Sequence, residues 1–230
     1  MYYNPMAILT KNNLIDALNN NTLAFDPPID AFQLQPAAID IRVGWSFYIP
    51  HTWKLTENGR EAVVADYVNQ SSLEENFRLI KLQPKQYFEI LPGESVVAST
   101  LEKIHLNAGN IAGILHPRSS SSRRALSIES GVIDPYYSGN LIIPIRNNSV
   151  HSLKIYPGER VCQIVFYELK EDIPKKEAGK HGVQEAKYHT ATPYSLGTKP
   201  DSKEEVQFIQ NGTLQELKQS YTITTTPKNE

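Results

Sequence analysis

QYFEI (86–90), SVVAST (95–100), NIAGIL (110–115), GVI (131–133), NLIIPI (140–145), SLKI (152–155) and RVCQIVFYEL (160–169) succeed one another through the middle of the chain. Pro92-Gly93, Asn147-Asn148 and Pro157-Gly158 stand between them. The runs are short, rich in Val, Ile and aromatic residues, and separated by residues that favour tight turns. Many short strands at regular spacing imply a mainly all-β chain, folded as a distorted antiparallel β-barrel or a jelly-roll-like domain.

The same reading extends outward. In QPAAIDIRVGWSFYI (35–49), Ile39, Ile41 and Val43 alternate with Asp40 and Arg42, the two-residue period of a half-buried strand. Upstream, Thr10 is placed to cap a short helix with Leu14, Ile15 and Leu18 on one face, ended by Asn19-Asn20-Asn21. Residues 1–30 are therefore expected to form a helix and lead-in, and 31–170 the β domain. Polar residues accumulate over 51–82 (NQSSLEENF at 69–77), which suits an insertion over the core. Beyond 170 the chain turns polar. Residues 171–198 read as a separate C-terminal segment and 199–230 as a polar tail, expected to be mobile, in which a helical stripe between Ser202 and Gln219 is interrupted by Gly212.

Composition narrows the function. The 230 residues carry 23 Lys and Arg against 25 Asp and Glu, so no bulk positive field exists to hold a nucleic acid or an anionic membrane. Cys162 is the only cysteine, which excludes an intrachain disulfide and the multi-thiolate zinc sites of zinc domains and zinc-dependent nucleobase deaminases. The six histidines (51, 105, 116, 151, 181, 189) show no metal-ligand spacing, so no metal held by protein ligands is expected. MYYNPMAILTKNNLIDAL (1–18) lacks a basic n-region and an apolar h-region, and no stretch approaches the roughly 18 apolar residues of a spanning helix. A cytoplasmic protein is expected. No Walker loop, Rossmann glycine fingerprint or GxSxG elbow occurs, which leaves a small phosphorylated ligand as the natural partner.

Three segments carry candidate chemistry. HPRSSSSRRAL (116–126) gathers three arginines and four serines in one loop. Guanidinium groups such as Arg118 and Arg123 make charge-assisted bonds to phosphate, and hydroxyls such as Ser119 and Ser120 add neutral donors; a solvated Ser-rich loop would have the same composition. ESGVIDPYYSGN (129–140) reads as a hairpin with Asp134 at its shoulder. A carboxylate there is able to orient and deprotonate water, and Tyr137 offers a flat face to a sugar or base; a turn-stabilising Asp and a core-covering Tyr would look alike. In PGERVCQIVFYEL (157–169), Gln163 interrupts an apolar strand with an amide that donates and accepts in one plane, or simply faces solvent.

Taken in order, these segments resemble the superfamily that joins trimeric dUTP diphosphatases (dUTPases) and dCTP deaminases, over about residues 6 to 196. AILTKNNLIDALNNNTL (7–23) and LQPAAIDIRVG (34–44) look like the N-terminal helix and first motif of the deaminase branch, and ILPGESVVASTLEKIHL (90–106) like its next strand pair. PRSSSSR (117–123) fits its Arg-Ser-Ser-x-x-Arg phosphate loop, GVIDPYYSG (131–139) the shared nucleoside-binding hairpin, and PGERVCQIVF (157–166) the shared Gly-x-Arg-x-x-Gln strand. The resemblance implies a dUTPase-type β fold and a homotrimer with active sites between subunits. It implies phosphate contacts from Arg118, Ser119, Ser120 and Arg123, and nucleoside or ligand contacts from Tyr137 and Gln163. Asp134 would position water, Arg118 would stabilise the departing pyrophosphate, and Mg²⁺ would arrive on the triphosphate. AKYHTATPYSLG (186–197) resembles the C-terminal Lys-Tyr segment of the deaminases, so Lys187 and Tyr188 are candidates for a closing lid.

One position departs from the deaminase pattern. Family deaminases place a proton-shuttling glutamate on the strand after the hairpin; here that strand reads LIIPIRNNS (141–149), with Pro144 at the matching position. Proline carries no proton, and losing a general acid/base commonly costs about 10²–10⁴-fold. Hydrolysis of dUTP to dUMP and pyrophosphate is therefore the favoured expectation. dCTP deamination, alone or combined with it, is the alternative, with Glu129 as a substitute suggested only by proximity in sequence. A non-catalytic nucleotide sensor is the third possibility.

Overall fold

The computed structural model describes residues 7–64, 76–185, 192–196 and 201–223. In chain order these form β1 (Ala7–Ile8), α1 (Lys11–Asn19), β2 (Leu23–Asp26), β3 (Ile39–Pro50), β4 (Trp53–Thr56), β5 (Gly59–Ala62) and β6 (Phe77–Lys81). Then follow β7 (Phe88–Ile90), β8 (Ser95–Leu106), β9 (Ile111–Pro117), α2 (Ser119–Arg123), β10 (Leu126–Ile128), β11 (Gly131–Ile133) and β12 (Ser138–Asn147). The remainder is β13 (Leu153–Ile155), β14 (Arg160–Glu168), α3 (Lys175–Ala178), β15 (Lys180–His181), β16 (Gln184–Glu185), α4 (Lys203–Asn211) and α5 (Leu214–Ser220).

The principal sheet is antiparallel and curled, in the order β10-β12-β8-β3-β14-β9-β11, with β1 added to β14, β2 to β8 and β6 to β3. The strand β3 joins the two halves of the curl: its first residues pair with β14, and from Val43 onward it pairs with β8. Gly44 sits at this changeover. A Cβ there would lie 2.8 Å from Thr100 O and 2.9 Å from Ser99 Oγ, so the close approach of β3 to β8 excludes a side chain.

Alternation accounts for the core. Ile39, Ile41, Val43 and Phe47 from β3 are fully buried against Ala98 and Ile104 of β8, Ile143 of β12, and Ile164 and Phe166 of β14. Each such side chain contributes about 1.5–3 kcal/mol of apolar burial. Phe47 also stacks on Phe88 at 4.4 Å between ring centroids. The mainly β, half-barrel architecture expected from the spacing of runs is what the chain adopts.

Three segments differ from the local reading. Residues 7–26 are part of the β fold rather than a lead-in, because β1 and β2 pair with the sheet and Leu14 of α1 is buried in the core. Within 51–82, β4 and β5 form a separate hairpin, whereas β6 extends the principal sheet along the edge of β3. In the C-terminal tail, α4 and α5 are two helices without a buried residue, separated by Gly212 at φ +72°. Among the described residues no helix is long and apolar enough to cross a membrane.

Candidate active site

The candidate residues fall into groups separated along the sheet. The first surrounds the loop after β9. The Arg118 amide donates to Val161 O at 3.2 Å, and the buried Ser121 Oγ donates to the same carbonyl at 2.8 Å, which ties the loop to β14. Arg118 is held by its side chain as well: Nε lies 2.9 Å from Asp40 Oδ2, and Nη1 donates to Arg160 O at 2.9 Å. Arg160 Nη1 reaches the same Asp40 oxygen at 3.1 Å.

Asp40 is 1% exposed. Burial pushes its carboxyl above the usual carboxylate range, against the pull of the Arg118 and Arg160 guanidinium groups. The carboxylate is a buried anchor that fixes the pose of two arginines at the surface. Ser119, Ser120 and Arg123 are exposed beside it, their side chains making no hydrogen bond or ion pair among the described residues. Gln163 lies directly across from Asp40 on β3 and His116 on β9, so the three share the outward face of the sheet, next to the Val161 carbonyl that holds the loop. Arg118, Ser119, Ser120, Arg123 and Gln163 are thus brought together. The cluster offers cationic and neutral donors to an anion.

The second group is the hairpin after β11. Tyr137 N donates to Asp134 O at 3.2 Å, closing the turn, and Tyr136 within it takes a positive φ of 61°. The Tyr137 ring packs against the core and its hydroxyl donates to Asn140 O at 2.9 Å; burial pushes its pKa up to about 12. The hydroxyl end of Tyr137 therefore takes the core-covering role. Tyr136 instead lines a cleft of about 540 Å³ with Asn107, Asn110 and Glu168. Asp134 is 43% exposed, and its Oδ2 lies 2.9 Å from Nε2 of His181.

The two groups do not meet within one chain. Ile133 pairs with Gly113, so Asp134 is level with Ala112, at the opposite end of β9 from Arg118. At about 3.3 Å per residue the separation is roughly 20 Å.

Pro144, where the motif resemblance leads one to expect a glutamate, lies on β12. Pro144 is exposed there, opposite Val97 of β8. On its other side β10 pairs Ile128 with Ile145, and Glu129 N donates to Pro144 O at 3.2 Å. Glu129 is therefore the cross-strand neighbour of Pro144. Residues opposed in this way share a face with Cβ atoms about 4.5–5.5 Å apart, and both are exposed.

Lys187 and Tyr188 lie outside the described residues. Asp40, Arg160 and His181 were not singled out as site residues in the sequence. Asp40 and Arg160 stand inside the first and last motifs, but nothing local marks them as partners. His181 belongs to no motif. Among the described residues no three His, Cys, Asp or Glu side chains converge to hold a metal ion.

A family model described as dCTP deaminase-like matches residues 8–169, from β1 to the end of β14. The chain belongs to the dCTP deaminase-like family. The loop after β9, the hairpin bearing Asp134 and the β10–β12 pair all lie within the match, whereas His181 and α3 to α5 lie beyond it. Relatives include the dUMP-forming dCTP deaminase of Methanosphaera stadtmanae, 29% identical over 188 residues (80% of this chain, 89% of the relative). The protein of the same name from Methanopyrus kandleri is 31% identical over 189 residues (80% and 91%). The crystal structure of 2'-deoxycytidine 5'-triphosphate deaminase from Agrobacterium tumefaciens has a TM-score of 0.55 and 19% identity, covering 71% of this chain. This chain spans 49% of that one, and the likeness concerns the fold. Membership of the deaminase branch expected from the motifs is borne out, and the chain is a nucleotide-processing enzyme of the dCTP deaminase-like family.

Proposed function

We propose that the protein converts dCTP to dUMP, replacing the 4-amino group by water with loss of ammonia and cleaving the triphosphate with a second water to release pyrophosphate. The observation that carries the first half is the pairing of Glu129 with Pro144. It supplies a carboxylate on the same exposed face, one strand away from where the family pattern puts its glutamate. The dUMP-forming relatives support this reading over the hydrolysis of dUTP alone. Glu129 would take a proton from the attacking water and return one to the departing amine.

For the second half, Asp134 would hold a water in line with the α-phosphorus, and Arg118, Ser119, Ser120 and Arg123 would bind the phosphates. The new bond joins the water oxygen to the α-phosphorus while the α–β bridging oxygen leaves with pyrophosphate, and Arg118 offsets its charge. Gln163 would contact the ligand beside the loop. Asp40 keeps Arg118 in place, so little rearrangement is needed when the anion arrives. Mg²⁺ would neutralise charge on the triphosphate.

A nucleotide spanning Asp134 and Arg118 requires these groups far closer than roughly 20 Å. A second copy of the chain would supply one group to the other's site, as in the homotrimer implied by the motifs. Ile114, Val132 and Val165, paired across the outer face of β9, β11 and β14, give such an interface an apolar surface. A solution mass three times the 25.9 kDa chain is expected by light scattering.

The second reading is a dUTP diphosphatase without deaminase activity, favoured by Pro144 itself. One assay separates the two. Ammonia and pyrophosphate are followed from dCTP, and pyrophosphate alone from dUTP. Ammonia release that falls by about 10²–10⁴ in Glu129→Gln, with pyrophosphate from dUTP retained, supports the dCTP reaction. Pyrophosphate from dUTP without ammonia from dCTP overturns it in favour of the diphosphatase. Tight nucleotide binding without any product leaves the sensor.

A further inference from the structure

We infer that His181 is a positioning residue for Asp134, and that the segment bearing it exists in this chain to hold one oxygen of that carboxylate so that the other faces the reacting water. The inference rests on the diphosphatase half of the proposed function. His181 Nε2 lies 2.9 Å from Asp134 Oδ2, and the second oxygen of Asp134 makes no hydrogen bond among the described residues. An isolated carboxylate on an open turn rotates freely about its last torsion. One N–H donor on one oxygen stops that rotation and leaves the other oxygen, with its lone pairs, directed outward. An N–H at Nε2 of the imidazole supplies that donor.

The placement of His181 is built from several contacts. The β15–β16 pairing sets His181 opposite Gln184 across a turn with Gly182 at φ +65°. Gln184 Nε2 donates to Glu205 Oε2 of α4 at 2.9 Å, which braces the hairpin from the tail. On the other side Lys175 Nζ of α3 lies 5.8 Å from the ring centroid of Tyr136, in the same turn as Asp134. Ala178 of α3 is buried beneath. The hairpin is thus anchored to α4 and to the Asp134 turn. A polar contact between side chains exposed by 47% and 43% adds little to stability, so this construction is not explained by the folding of the β domain. It also lies beyond the residues matched by the family model, which end at 169.

The test is the steady-state release of pyrophosphate from dUTP and Mg²⁺ by the full chain, its His181→Phe and its His181→Gln variants. Phe fills the space without a donor, whereas the Gln amide restores one. His181→Phe is expected to lower kcat about 10- to 100-fold with KM within twofold of the parent, and His181→Gln to recover most of the loss. An unchanged kcat in His181→Phe overturns the inference, as does an equal loss in both variants at an unchanged unfolding temperature. A parent that releases no pyrophosphate refutes the diphosphatase half of the proposed function instead. In that case tryptic cleavage after Lys180 decides for the contact. Faster cleavage, equal in His181→Phe and Asp134→Ala, supports it, and parental rates in both overturn it.

Discussion

Substituting Asp40→Asn tests whether a buried carboxylate sets the pose of Arg118, proposed to bind phosphate, and of Arg160 beside it. The wild-type Oδ2 meets Arg118 Nε at 2.9 Å, Arg160 Nη1 at 3.1 Å and Gln35 Nε2 at 3.3 Å. An amide offers one acceptor oxygen and turns its own N–H groups towards donors. Removing one partner of a buried ion pair costs about 3–5 kcal/mol. Two effects reduce that here. Arg118 and Arg160 are 26% and 27% exposed, so water can take up part of their lost bonding. Burial already disfavours the charged form of Asp40, so its removal relieves a penalty. A loss of about 2–3 kcal/mol is expected, and at about 2–4 °C per kcal/mol for a chain of this size the unfolding temperature falls by roughly 4–12 °C. Scanning calorimetry measures that shift. Below the transition, KM for dUTP is expected to rise about tenfold because Arg118 must be ordered by the ligand, with a smaller change in kcat. An unfolding temperature within 2 °C of the parent together with an unchanged KM would refute the anchor argument.

Other consequences are direct. Gly44→Ala forces a methyl to 2.8 Å from Thr100 O, and a loss of about 1–3 kcal/mol is expected in urea unfolding; an unshifted midpoint would show that β3 and β8 part easily. Burial, aided by the carboxylates of Glu102 and Asp40, pushes the Cys162 thiol well up, so iodoacetamide is expected to alkylate it only in denaturant; mass spectrometry of the native protein after exposure checks this. Glu102 is raised above its ordinary value of 4.5 by burial, more than the bonds from the Arg42 amide and Gln33 Nε2 lower it. A raised folded-state pKa contributes stability that is complete below 4.5 and disappears as pH rises through the folded value. Glu102→Gln is therefore expected to gain on the parent between pH 4.5 and neutrality, and a constant difference in unfolding temperature over that window would contradict the sign.

Strands were legible because their signal is local. Ile39, Ile41 and Val43 mark a buried face by spacing alone, and the structure buries all three. The same alternation misled for Asp40. A polar residue between apolar ones reads as solvated, and only folding brings Arg118 and Arg160 over it. Gly212 shows a different limit. It reads as a break in a weak helical stripe, whereas at φ +72° it caps α4, its N–H bonding Ile209 O, and a second helix follows. The conformational freedom that makes glycine a poor helix residue also makes it a good end to one.

Pro144 marks where motif reading reaches its limit. A motif locates a missing carboxylate by its place along one strand, but protons move through space. Which residue stands beside that place depends on the register of β10 against β12, and the pattern of β12 alone does not contain it. Here Leu126 and Ile128 are buried opposite Asn147 and Ile145, and this fixes the register, because a slip of one residue would carry both side chains out of the core. The same constraint sends Glu129 outward next to Pro144. Proline suits that position, since its carbonyl still accepts the Glu129 amide while its missing N–H leaves the neighbouring strand one acceptor to be satisfied by water. Under the proposed dCTP reaction the proton-carrying group would stand on the neighbouring strand, while the hydrophobic register, and so the fold, stays as it was.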